Sequence, residues 1–150
     1  MKELWAAIYD TLDDDETLTG LLGHTNTDRR IKRGWQPTLP IRPAVTYDLW
    51  SDVLWHVAQV KGNREPHEIM VRFSLWAPET VPAGQTVGAD LLLSDLCAAL
   101  LDALHGRDIA TAALLCWLVL YDDFTSPLGF DEGLKCFTQV MRFKFIVKAA

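Results

Sequence analysis

The chain carries none of the short signatures of catalysis. It has no G-x-S-x-G, no G-x-G-x-x-G, no P-loop and no pair of histidines at metal-binding spacing on a helix. His24, His56, His67 and His105 are scattered singly. His56 and His67 can approach across a hairpin beside Glu68, but strand neighbours alone supply no third convergent ligand and no dry pocket, so no metal is expected. Cysteine is scarce too. Cys97, Cys116 and Cys136 lie inside apolar patterns, where they read as reduced, buried thiols rather than nucleophiles or a disulfide framework. Positive charge is outnumbered, with 14 Lys and Arg against 20 Asp and Glu and a net charge of −6, which argues against a broad basic face for nucleic acid. The local group Arg29, Arg30, Lys32 and Arg33 reads as a solvated strand edge. The most apolar stretch, residues 110–121, is too short to cross a bilayer, so no membrane partner is expected. Met1 leads directly into a helical pattern, which predicts an intracellular protein without a secretory leader. With no repeat and no Gly- or Ser-rich linker, residues 1–150 form a single domain. No enzyme and no cofactor is expected.

What the chain has is apolar surface. Its apolar fraction is 49% with six Trp, and its mean hydropathy is +0.07. A domain of 150 residues buries about two-thirds of its unfolded surface without staples. The excess calls for a partner.

The patterning predicts an α+β fold: an antiparallel sheet with a long hairpin and helices packed on one face. Ile69, Val71, Phe73 and Leu75 alternate with Glu68, Arg72 and Ser74, a half-buried strand. From Thr86 to Leu104 the period becomes helical, with Leu92, Leu96, Ala99, Leu100, Ala103 and Leu104 on one stripe. Strand and helix together form the nucleus of the domain. Leu4, Trp5, Ile8 and Leu12 give a first helix. The acidic run Asp13 to Glu16 opens a second through Leu18, Leu21 and Leu22, stopped by Gly23. RRIKRGW reads as a charged edge strand, and QPTLPIRP as an extended connection.

Val45, Tyr47 and Leu49 begin the hairpin, continued by Val53, Trp55, Val57 and Gln59 and turned at a polar tip holding Lys61, Asn63 and Arg64. Such an arm reaches a neighbour, and the expected subunit interface comprises Trp50, Trp55, Val57, Trp76 and Trp117. The run TAALLCWLVLY is apolar on both parities, which predicts a strand covered on both sides. The last strand, Leu134 to Val147, changes the parity of its apolar residues, which predicts a bulge near Gln139 or Val140. Between these strands the loop DDFTSPLGFDEG holds Asp122, Asp123, Asp131 and Glu132. It lacks the alternating ligands of a calcium loop.

The order of these segments resembles the tail-completion, or tail-terminator, proteins of tailed bacteriophages. The likeness runs over nearly the whole chain: a helix pair ending at LLG, the basic strand RRIKRGW, LPIRPAVTYDL, a hairpin, a strand ending in WAPE, a long helix and two strands flanking a loop with FDEG. Its best local matches are Leu39 to Tyr47 and Phe73 to Leu104. The resemblance implies an antiparallel sheet with helices on one face and a hexameric ring that caps the tail tube and joins it to the head. It implies no catalytic residues. The implied partners are further copies of the chain, the tail tube protein, a head-tail connector protein and DNA passing without specific binding, and in such a ring the loop acids Asp122, Asp123, Asp131 and Glu132 suit the channel wall, because like charge keeps the duplex from sticking. The implied location is the virion tail, assembled in the bacterial cytoplasm. The Trp-rich hairpin departs from the family. Another head-to-tail connector or minor capsid component, or an unrelated small-ligand-binding α+β domain, are the alternatives.

Overall fold

The computed structural model describes residues 2–34, 43–50, 67–79, 88–112 and 114–149, with the backbone alone for residues 67, 114–118, 148 and 149. Helix α1 (Lys2–Asp13) buries Leu4, Ala7, Ile8 and Leu12, one stripe at three- and four-residue spacing. The acidic run then serves the next helix, as carboxylates at an N-terminus do. Asp15 caps α2 (Glu16–Leu22), accepting a hydrogen bond from the Leu18 N–H at 2.8 Å. Gly23 ends α2 in the left-handed conformation, φ 65°.

There follow β1 (Ile31–Arg33), β2 (Ala44–Leu49), β3 (His67–Pro78), α3 (Ala89–Leu104), β4 (Leu114–Thr125), β5 (Gly129–Asp131) and β6 (Cys136–Ala149). The class is α+β, as the patterning predicts. Among the described residues the sheet has the order β1-β2-β3-β6-β4, with β5 paired to β6. It is mixed rather than purely antiparallel, because β1 runs parallel to β2. The hairpin ladder between β2 and β3 is antiparallel, from Ala44 opposite Trp76 to Leu49 opposite Val71. Its expected arm, with Trp55 and Val57 and the tip residues Lys61, Asn63 and Arg64, lies outside the described residues.

The helices share one core with one face of this sheet. Ile69, Val71, Phe73, Leu75 and Ala77 of β3 meet Val45 and Tyr47 of β2, Phe143 and Phe145 of β6, and the stripe of α3 from Leu92 to Leu104. Phe73 is at the centre, edge-on to Phe143 with ring centroids 5.3 Å apart. Tyr47 closes the core beneath α1, donating from its hydroxyl to the Trp5 carbonyl at 3.3 Å. Burial, opposed by Arg33 and aided by Tyr9 and Asp10, pushes the Tyr47 phenol up to about 12. The folded chain therefore keeps this proton to higher pH than the unfolded chain. The resulting stability is intact below the ordinary tyrosine pKa of about 10 and is lost as pH climbs towards 12, by roughly 2 to 3 kcal/mol in all. Tyr47→Phe is expected to flatten that alkaline loss, as read by urea midpoints at pH 8 and pH 11.

Two features of the last strands correct the expected pattern. The β3–β6 ladder runs unbroken from His67 opposite Val147 to Pro78 opposite Cys136, so β6 has no bulge at Gln139 or Val140. The register shifts fall on β4, between Cys116 and Leu118 and between Tyr121 and Thr125. The parity change in β6 has another cause. Cys136 joins Ala44, Trp76 and Leu134 in a small separate cluster, whereas Gln139 accepts a hydrogen bond from the Cys97 thiol of α3 at 3.5 Å and donates to the Ser126 carbonyl. A polar residue thus occupies a helix-side position that the pattern assigned to apolar ones.

The free edge of β4 is covered at Val119 and Tyr121. Val119 donates to the Arg107 carbonyl and accepts from the Gly106 N–H, at 3.1 and 2.7 Å, and the Tyr121 N–H is capped by His105 Nδ1 at 3.0 Å. Gly106 makes this return with φ 75°, a conformation costly for other residues.

Candidate assembly surface

The sheet face opposite the helices divides into two zones. At one end Ala44, Thr46, Trp76 and Cys136 are buried, and the Trp76 indole N–H donates to Thr46 Oγ1 at 3.1 Å. Trp76 is therefore satisfied within the chain. Burial, aided by Asp131, raises the Cys136 thiol pKa, and burial alone pushes the Cys97 thiol up to about 11, so both thiols stay protonated.

The other zone is open and charged. Asp48 on β2 stands opposite Arg72 on β3, which stands opposite Arg142 on β6. The Arg72 guanidinium forms two hydrogen bonds to the Asp48 carboxylate, one from Nε at 2.8 Å and one from the terminal nitrogen. That fork holds the Arg72 pKa above its ordinary value against some desolvation. Arg142 Nε donates to Asp122 Oδ2 at 2.6 Å. The row therefore reads acid, base, base, acid across four strands. Two like charges directly opposite each other are normally unfavourable, and here each is neutralised from its outer side.

Trp50 covers the middle of the row. Its N–H donates to the Met70 carbonyl at 3.0 Å, fixing it just past the end of β2. The indole takes Arg142 at 5.0 Å and Arg72 at 5.9 Å over its ring and meets Phe124 at 5.5 Å. Arg142 also stacks on Phe124 at 4.9 Å. Trp50 nevertheless remains 38% exposed. The turn bearing Phe124 is fixed by Ser126, whose N–H donates to the Val140 carbonyl while its hydroxyl accepts from the Val140 N–H, both at 2.8 Å.

Of the expected site residues, the structure brings Trp50 and Asp122 into one cluster and leaves the other acids apart. Asp123 is exposed on the β4 irregularity at φ 46°. Asp131 caps a turn, accepting from the Leu134 N–H at 2.9 Å, and Glu132 pairs with Lys135 at 3.1 Å. Trp117 lies at the first register shift of β4, and its side chain is outside the description. The two arginines and Phe124 were absent from the sequence expectation. The alternation placing Arg72 outward was readable, but the register that sets it beside Arg142 was not.

The basic group at β1 is not a solvated edge throughout. Arg30 is 2% exposed and donates from Nε to the Pro43 carbonyl at 2.9 Å, while Arg29 and Arg33 stack over Tyr9 and Trp5. His24 is also embedded, donating from Nε2 to Asp13 Oδ1 at 2.7 Å and accepting the Arg30 N–H at Nδ1. A cleft of about 300 Å³ at the C-terminal end of α1 is lined by Thr11, Asp14, Asp15, Ala103, Arg107, Asp108 and Ile109. Among the described residues no cluster of three or more His, Cys, Asp or Glu is arranged to hold a metal, and no helix is long and apolar enough to cross a membrane.

The sequence matches no protein-family model and no curated protein sequence. The fold does find a counterpart. A chain of the solved structure described as the virion of a native gene transfer agent (GTA) particle superposes with a TM-score of 0.64 at 16% sequence identity, over 95% of this chain and 92% of that one.

Proposed function

We propose that the chain is a structural subunit of a phage-like particle, forming a ring that ends the tail tube and joins tail to head. The observation that carries this reading is the open half of the sheet face, where Trp50 stays exposed over two guanidiniums. Exposed Trp beside Arg is the composition of an interface centre rather than of a solvated surface. The fold shared end to end with a chain of a gene transfer agent virion points to the same setting. In this reading the partners are other copies of the chain, six in a ring, together with the tail tube protein and a head-tail connector. The ring is assembled in the bacterial cytoplasm and stays in the virion tail. It has no catalytic role.

Light scattering on the purified chain, followed by negative-stain imaging, is the test. Rings with a mass several times the 16.9 kDa subunit are expected. A single-subunit mass at high concentration overturns the proposal. The virion neighbour equally accommodates another connector or a minor capsid position, and labelled antibody on whole particles separates these: label at the junction of head and tail supports the tail ring.

DNA passes the ring without specific binding in this reading, and the exposed acids Asp123 and Glu132 keep it from the wall. Asp123→Lys with Glu132→Lys should reduce DNA delivery several-fold while rings still form. Asp122 is the poorer probe, because it is held half-buried against Arg142, whereas the Glu132 side chain is 81% exposed and its partner Lys135 also lies in solvent. Unchanged delivery would remove the acids from the channel wall.

A further inference from the structure

We infer that the Trp50–Arg72–Arg142 patch of one copy receives the outward face of α3 of the next copy, making the subunit contact head-to-tail. The inference rests on the assembly proposed above and names its surfaces.

The patch is the receiving side. Its two central guanidiniums are cross-strand neighbours with their carboxylates on the flanks, so the space between them, beside the exposed indole, favours an incoming carboxylate next to apolar atoms. Each arginine is countered by a carboxylate only from its outer flank, so a further carboxylate seated between the two adds a counter-charge on the side where they face each other.

The outward face of α3 has the complementary chemistry. Asp90, Leu91, Ser94, Asp95, Ala98 and Asp102 are exposed, and the helix contains no basic residue. Leu91, at 57% exposure, is the most exposed large apolar residue among the described ones. Leu91, Asp95, Ala98 and Asp102 recur at helical spacing, so one stripe offers a leucine, a small residue and two carboxylates. Asp102 also sits close to the helix C-terminus, where a negative charge is unfavourable until a cation approaches.

The placement of the two surfaces fixes the kind of contact. The buried stripe of α3 faces the sheet, so its acidic stripe points away, on the side of the subunit opposite the Trp50 patch. One copy cannot satisfy both surfaces by a two-fold exchange of identical patches. Joining them is heterologous, and a heterologous contact whose rotation closes makes a ring.

Two variants test this. Asp95→Lys with Asp102→Lys alters exposed positions and should leave the melting curve unchanged, while Trp50→Ala alters the patch. Each alone is expected to run as a single subunit in light scattering. Mixed in equal amounts they should form a pair and stop, because one intact junction remains between the unaltered patch of the first and the unaltered helix of the second. Wild-type rings with variants that still form rings would overturn the inference while sparing the proposed function, and would leave the patch to another partner. A mixture that gains no mass would overturn the head-to-tail pairing. Wild-type protein that stays a single subunit would overturn both.

Discussion

Phe73→Ala is expected to lower the free energy of unfolding by about 3 to 5 kcal/mol. The ring is fully buried and touches aromatic neighbours on both flanking strands, with centroids 5.8 Å from Tyr47, 5.3 Å from Phe143 and 6.4 Å from Phe145. Removing it deletes apolar burial and leaves a hole among residues held by two long ladders, which cannot collapse to fill it. Domains are stable by only about 5 to 15 kcal/mol, so this one substitution consumes a large share. Urea denaturation followed by tryptophan fluorescence reads the change. A loss under about 1 kcal/mol would mean that Phe73 is not the centre of the core. Phe73→Leu should recover more than half of the loss, since it keeps most of the volume.

Arg30→Ala is expected to cost about 2 to 4 kcal/mol, more than any exposed arginine in the chain. The buried guanidinium donates to the Pro43 carbonyl and lies 3.5 Å from Asp28, joining the start of β1 to the residue before β2. Truncation leaves a buried carbonyl without its charged donor and opens a void beside it. Arg30→Met restores volume without the hydrogen bonds, so the difference between the two variants separates packing from polar loss. Arg30→Lys should also fall short, because a single ammonium cannot reproduce the planar fork. Chemical denaturation of all three checks the order wild type, Met, Ala. An alanine variant as stable as wild type would show that the burial of Arg30 contributes nothing.

These two residues mark how far the sequence is legible. Phe73 sits in an alternating run whose apolar side had to face a core, and the stripe of α3 specified what would cover it. Periods of two and 3.6 residues report on burial directly, so the helices, the central strand and the α+β class follow from them. The cap at Asp15 and the stop at Gly23 are equally local. Arg30 reads from the sequence as part of a solvated edge because a charge is usually exposed, and only the tertiary course of the chain around Pro43 buries it. The parallel partner of β1 is of the same kind: three residues carry too little pattern to show direction.

The open sheet face is where sequence reading falls shortest. It anticipated Trp50 and Asp122 as separate members of an interface and a channel, but the structure ties them together through Arg142. Such a row depends on the register between strands far apart in the chain, which no single run of residues contains. The parity change in β6 illustrates the same point, since Gln139 keeps its place on the helix side through bonds to Cys97 and Ser126 rather than by a bulge.

Where the segment after α3 folds back along β4, the outermost strand offers fewer main-chain donors and acceptors to a stranger. Concentrated copies of the chain can therefore collide on that flank with less tendency to zip into a continuous fibril.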